Sequence, residues 1–179
     1  PVNPEPILDD ALNPSDICSG ITIEAGNPGF ELKAETAPTP SVAATSFIIR
    51  SISFPGLTAG ASNTGIGSGK TKDAMDNDTY TNVTNSPLTA TYTIAPVSAG
   101  GCVGADQTVA VVVNPAPALK TGLDRIACSN DISNIVLQDN FPTSIAAVTY
   151  DIISVTVPVG LTPDGGNAPT GITADVNRI

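Results

Sequence analysis

The chain has 179 residues, of which 16 are Gly and 16 are Pro, a density of interruptions that excludes long helices and suits short strands joined by turns. Seventeen acidic against seven basic residues give a net charge of −10, which sets the surface against nucleic-acid backbones and anionic membranes, with no Lys/Arg cluster to offset it. A 41% apolar content supplies a core, while 4% aromatics and no Trp favour thin Val/Ile/Leu/Ala sandwiches over a deep ligand pocket, and no run reaches the roughly 18 apolar residues of a membrane helix.

In chain order, Val2-Asn3-Pro4 reads as the tail of a preceding unit. No charged-then-apolar signal region follows Pro1, so the natural chain is expected to begin upstream. Ile21-Thr22-Ile23 and Phe30-Glu31-Leu32 read as short strands, and Phe47 to Phe54 as a longer one stopped by Pro55-Gly56. Gly65-Ile66-Gly67-Ser68-Gly69-Lys70 lacks the phosphate-loop spacing and reads as a flexible loop. Lys72 to Asp78 suits one helical turn, and nothing else carries a helical stripe. Thr89 to Ala95 alternates so that Ala90, Tyr92 and Ile94 share one face. Ser98-Ala99-Gly100-Gly101-Cys102 is the expected hairpin tip before a further strand, Thr108 to Val113.

The pattern then begins again. Asn3-Pro4-Glu5-Pro6 recurs as Asn114-Pro115-Ala116-Pro117, Ile17-Cys18-Ser19 as Ala127-Cys128-Ser129, and Gly56-Leu57-Thr58 as Gly160-Leu161-Thr162 with Asn63 matched by Asn167. The spacing shrinks from about 111 to about 104 residues along the series, as expected if a loop is shorter in the second copy. A unit of this size fits an immunoglobulin-like sandwich. The predicted fold class is all-β: tandem immunoglobulin-like antiparallel β-sandwiches, complete over residues 1–113 and incomplete over 114–179. In the second copy Val148 to Val157, stopped by Pro158, is the expected strand equivalent to Phe47–Phe54, and Pro87 to Val113 has no counterpart. The two prolines of the junction predict a semi-rigid, extended connection.

The run Thr91-Tyr92-Thr93-Ile94-Ala95-Pro96-Val97-Ser98-Ala99-Gly100-Gly101-Cys102-Val103-Gly104, followed by Thr108 to Val113 and Asn114-Pro115-Ala116-Pro117, resembles the PKD-like repeats of giant Bacteroidota surface proteins. Ile17-Cys18-Ser19-Gly20 and the Asn/Thr-rich Asp78 to Asn85 are similar to them too. The resemblance implies an immunoglobulin-like module repeated many times in a long extracellular chain. Such chains include mobile adhesins of gliding bacteria exported by type 9 secretion. It implies no catalytic residues.

Candidate chemistry is sparse. The three cysteines allow a Cys18–Cys102 disulfide within the first copy, with Cys128 repeating the position of Cys18; buried thiols and a Cys102–Cys128 pairing are the alternatives. Asp73, Asp76 and Asp78 offer hard oxygen ligands for Ca²⁺ in one loop, although the spacing is not that of an EF-hand and a solvated acidic loop is the competing reading. Asp9-Asp10 is a second candidate for a junction Ca²⁺, weakened because the second copy has Lys120-Thr121 there. Tyr92 suits either a tyrosine-corner hydrogen bond or core packing. Asn77-Asp78-Thr79 and Asn82-Val83-Thr84 match the glycosylation acceptor pattern. With no His and no C-x-x-C, a His-based triad or His metal site is excluded, and the expectation is a protein without catalytic residues or cofactor.

The expected role is a structural and adhesive repeat at the cell surface, extracellular, acting as a semi-rigid spacer beside neighbouring repeats of the same chain. It neither binds nucleic acid nor inserts into a membrane. A carbohydrate-binding module, touching surface glycans or other cells, is one alternative and requires exposed platforms from Phe30, Phe47, Phe54, Phe141, Tyr80, Tyr92 or Tyr150. A filament subunit polymerising by strand addition is another.

Overall fold

In the computed structural model residues 4–35, 41–128 and 135–161 are described. They fall into two units, Pro1–Ala116 and Pro117–Ile179. The elements of the first are β1 (Ile17–Cys18), a one-turn helix α1 (Ile23–Gly26), β2 (Ala44–Ser53), β3 (Thr58–Ala59), β4 (Gly67–Lys70), β5 (Tyr80–Thr81), β6 (Leu88–Ser98) and β7 (Gln107–Asn114). They form a five-stranded sheet in the order β1-β7-β6-β2-β4 and a two-stranded sheet of β3 and β5. All pairings are antiparallel except β1 with β7. The architecture is the all-β one expected.

The long strands follow from alternation. On β6, Ala90, Tyr92 and Ile94 are buried, as are Val109, Val111 and Val113 on β7 and Phe47 and Ile49 on β2, so three adjacent strands turn one apolar face inward. That face packs with Leu57, Met75 and Tyr80 from the other layer, and with Leu8, Ile17, Ile23 and Leu32 from the N-terminal segment, in one cluster. β2 and β6 hold each other over eight paired positions, from Ala44↔Ser98 to Ser53↔Thr91.

Three local expectations change. Ile21–Ile23 is not a strand: the Thr22 side chain accepts from the Ala25 N–H at 3.1 Å, and this N-cap starts α1 despite the β-branched residues. Phe30–Leu32 has no ladder either, although Leu32 is buried and its N–H donates to the Lys72 carbonyl at 2.9 Å. The Gly-rich segment read as a loop supplies β4, an edge strand on β2 with Phe47↔Lys70 and Ile49↔Gly67 paired across a register shift. Backbone pairing to an open edge needs no side chain, so composition did not reveal it.

The N-terminal segment lies along β7 in the same direction. A Cβ built on Gly104 would strike the Pro6 carbonyl oxygen, so the chain enters beside Gly104 in a contact only glycine permits. Gln107 Nε2 then donates to Asp10 Oδ1 at 3.1 Å, and the Ala110 N–H to Asn13 Oδ1 at 2.9 Å. Ile17 pairs with Val113 and Cys18 with Asn114, and the Ser19 N–H donates to the Asn114 carbonyl at 2.9 Å. The chain therefore enters at one end of the sandwich and leaves at the other.

The second unit carries one bridge between described residues, Leu119↔Asp139, with Lys120 N–H to Gln138 O at 2.8 Å and Asn140 N–H to Ala118 O at 2.9 Å. The same arrangement occurs in the first unit at Leu8↔Ala34, where Asp9 N–H donates to Lys33 O at 3.1 Å and Glu35 N–H to Ile7 O at 2.7 Å. A second correspondence lies at the turns. The Leu57 N–H donates to Phe54 O at 3.1 Å around Gly56 at φ 76°, and the Leu161 N–H to Pro158 O at 3.2 Å around Gly160 at φ 101°. Both glycines take the positive φ that a side chain resists at that turn position. Between these two points the strand expected over Val148–Val157 is not formed among the described residues. The counterpart of Asn63, Asn167, lies outside the described residues, as do Ser129 and Thr162.

Candidate functional site

Two buried polar groupings and the two ends of the first unit carry its distinctive chemistry. The first grouping is built on Asn82, directly after β5 and fully buried. Its Nδ2 donates to the carbonyls of Ser86 at 2.9 Å and Val113 at 2.8 Å, and its Oδ1 accepts from Thr84 N–H at 3.0 Å and Thr84 Oγ1 at 2.7 Å. Its own N–H donates to Ser19 Oγ at 2.9 Å, and its carbonyl accepts from Ala116 N–H at 3.4 Å. One residue, through its side chain and its backbone, thus ties the loop before β6, the end of β1 and the last residues of β7 together where the chain leaves the sandwich. Read as a glycosylation acceptor, Asn82 has its amide nitrogen engaged inside the fold. The Asn-x-Thr spacing instead makes the turn in which an Asn oxygen caps the N–H two residues on.

The second grouping is Asp78, Tyr92 and Tyr80. Tyr92 Oη donates to Asp78 Oδ2 at 2.5 Å, the two tyrosine hydroxyls lie 2.6 Å apart, and Asp78 Oδ1 accepts from Thr64 N–H at 2.5 Å. The tyrosine rings meet edge to face with centroids 6.5 Å apart. Burial raises the Asp78 carboxyl above its ordinary 3.8, against the hydrogen bonds from Tyr92 and Thr64 and the charge of Lys70, which lower it. Burial likewise raises Tyr80, and raises Tyr92 far above the ordinary phenol value, with Asp78 adding to the shift of both. Tyr92 bonds to side chains and not to the backbone, so it packs in the core with a polar tip and is no tyrosine corner. Beside it Asn63 exchanges two bonds with the Thr79 backbone, each 2.8 Å, and so fixes the loop before β4.

The candidate Ca²⁺ loop is taken apart by this arrangement. Asp78 points inward with both oxygens engaged, while Asp73 lies 3.7 Å from Lys72, which also pairs with Glu31. The Asp76 Oδ1 is buried with no hydrogen-bond partner, and burial, helped by Asp73, Glu24 and Glu31, raises that carboxyl. Among the described residues no three acidic or thiol groups are arranged to hold a metal ion. Asp9 accepts from Ala11 N–H at 2.9 Å and pairs with Lys33 at 3.2 Å, and these partners hold its carboxyl below the ordinary range.

The expected Cys18–Cys102 disulfide is not formed. Cys18 sits opposite Asn114, whereas Cys102 follows the β6 end, its carbonyl accepting from the Ser98 N–H at 2.9 Å. The length of β7 lies between them, about 25 Å at ~3.3 Å per residue, far beyond the reach of a disulfide. Cys128 is exposed and makes no disulfide with Cys102.

Of the aromatics proposed as glycan platforms, Phe47, Tyr80 and Tyr92 are in the core, Phe30 packs against it and Tyr150 is half-buried, leaving Phe54 and Phe141 among the exposed apolar residues. Two open grooves mark the first unit. One, of about 580 Å³, has Leu32 and Phe47 at its base with Lys33, Glu35, Lys72 and Asp73 around it. The other, of about 330 Å³, is lined by Asp9, Asp10, Asp106, Thr93, Gln107 and Thr108. Among the described residues no helix is long and apolar enough to cross a membrane.

No curated protein and no solved structure matched the chain. Residues 52–117, from the end of β2 to just past β7 and including Asp78, Asn82 and Tyr92, match the family model of the PKD-like domain, so this stretch is similar to an immunoglobulin-like sandwich of that kind.

Proposed function

We propose that the first unit is a tension-bearing structural and adhesive module of a long extracellular surface protein, of the kind the PKD-like repeats of Bacteroidota surface chains suggest, gliding adhesins exported by type 9 secretion included. Its partners on this reading are neighbouring units of the same chain. The observation that carries it is the parallel course of the N-terminal segment along β7, from Pro6 at Gly104 to Cys18 at Asn114. Force applied through the chain ends pulls these two segments past each other. The bonds at Gln107, Ala110, Val113 and Asn114 are then loaded together, in shear, instead of being peeled one at a time. The PKD-like match supports the same reading, since modules of that kind are typically extracellular and non-catalytic.

Single-molecule pulling on the whole chain through its ends tests it. The first unit should open in one cooperative event that releases roughly 350 Å of chain, from about 113 residues at ~3.4 Å each less the folded span. Asn13→Ala, which removes the acceptor for the Ala110 N–H, should lower the opening force without changing that length. Gradual extension with no force peak would remove the mechanical reading.

A further inference from the structure

We propose that the segment from Pro4 to Cys18 is an exchangeable strand, and that its seat along β7 takes up the same segment of a second copy of this chain. The hold of this segment on the sheet differs from that of the long strands. Its ladder to β7 is two residues long, Ile17↔Val113 and Cys18↔Asn114. Ahead of that ladder the hold on β7 passes to side chains: Asp10 Oδ1 accepts from Gln107 Nε2, and Asn13 Oδ1 from the Ala110 N–H. Its further ties run to loops, at the Leu8↔Ala34 bridge and between Ser15 and Asn27, where the Ser15 N–H donates to Asn27 Oδ1 at 2.6 Å. β6, by contrast, is laddered to β2 on one side and to β7 on the other.

The occupant is fixed by what the seat holds. Leu8, Leu12 and Ile17 belong to the core of the first unit, so a seat the segment leaves exposes apolar surface together with the Ala110 N–H, and it has to be filled again. A filler must bring three apolar side chains at that spacing, two acceptor side chains, and a backbone that passes Gly104 as closely as Pro6 does. A second copy brings a segment with every one of these features. Exchange between two copies remakes each contact it breaks, so its barrier is the release of one segment and not of the sheet. The pivot lies just past the ladder: Gly20 stands at φ 82° with open space where a side chain would be, and beyond it Thr22 caps α1.

The test uses the full chain with Asn114→Cys, Cys102→Ser and Cys128→Ser. Neighbouring strands lie about 4.8 Å apart, so Cys18 and the new thiol at position 114 are within reach of a disulfide. Heavy-isotope and ordinary chains are mixed at high concentration without denaturant, oxidised briefly after increasing times, and digested for mass spectrometry. Links between positions 18 and 114 that join a heavy chain to an ordinary one should accumulate with time, while the amides of β6 stay protected from hydrogen exchange. Asn13→Ala should speed this mixing about fivefold, the factor one ordinary hydrogen bond is worth. Links that stay within one isotope would overturn the proposal. So would mixing no faster than the exchange of the β6 amides, which is unfolding of the whole unit, or mixing that Asn13→Ala leaves unmoved. The proposal rests on the seat of this segment in the first unit and not on the tension-bearing reading, so its failure leaves the pulling result standing.

Discussion

Replacing Asn82 with Ala is expected to destabilise the first unit by about 3 kcal/mol and to lower its melting temperature by about 15 °C. Four hydrogen bonds leave with the amide, and three of the groups it served, the Val113 and Ser86 carbonyls and the Thr84 N–H, lose that partner at or near the buried end of β7. A buried carbonyl without a donor costs more than the net worth of the bond that satisfied it. Asn82→Asp should do worse than Ala, because it puts an acceptor-only carboxylate against those two carbonyls. Thermal unfolding followed by circular dichroism reads both variants. A loss below about 1 kcal/mol, the worth of a single ordinary hydrogen bond, would mean that this amide does not hold the end of the unit together.

The second large effect is at Asp78. Asp78→Ala should cost about 3 kcal/mol, since it strips acceptors from the Thr64 N–H and the Tyr92 hydroxyl inside the core. Asp78→Asn should retain the fold. Its oxygen can keep the Thr64 bond while its amide donates to Tyr92, whose proton then turns to Tyr80 across the 2.6 Å hydroxyl contact. The two variants also separate charge from shape. Burial raises the Asp78 carboxyl above 3.8, so the folded state binds its proton more tightly than the unfolded chain does. The carboxyl's contribution to stability is therefore full below 3.8 and declines as pH rises from there through the raised folded value. Asp78→Asn removes that decline, so the stability of the variant relative to the native chain should grow across this window and level off above it. Melting curves taken across that range check the sign. A native chain that gains stability relative to Asp78→Asn as pH rises would show the ionised carboxylate to be the better-held form.

The long strands are readable from residues alone: the β-rich runs place Ala90, Tyr92 and Ile94 of β6 and Val109, Val111 and Val113 of β7 inward, beside Phe47 and Ile49 of β2. What was not readable is the structure made by pairing. β1, β3 and β5 are two residues long and exist because a neighbour offers an edge, and Gly67–Lys70 looks like a loop until β2 lies beside it. The polar core is hidden from the sequence for a related reason. Asp78 in an acidic run looks like a cation ligand, and only the fold brings Tyr92 and Thr64 to its two oxygens. Asn82 stands in an acceptor motif whose spacing serves a turn equally well. The cysteines show the limit of one-dimensional reasoning: Cys18 and Cys102 share a unit but sit at opposite ends of it.

The chain's passage from one end of the first unit to the other can be measured as a distance. A nitroxide on Cys18 and another on Ala99→Cys at the hairpin tip, with Cys102 and Cys128 changed to Ser, mark the two ends for pulsed electron resonance. The register of β6 against β7 places the labels about 35 Å apart, some ten residues at ~3.3 Å each, in a single narrow distribution. A separation below about 20 Å, six residues of strand or fewer, would put both labels at one end and contradict a unit built to carry tension through its length.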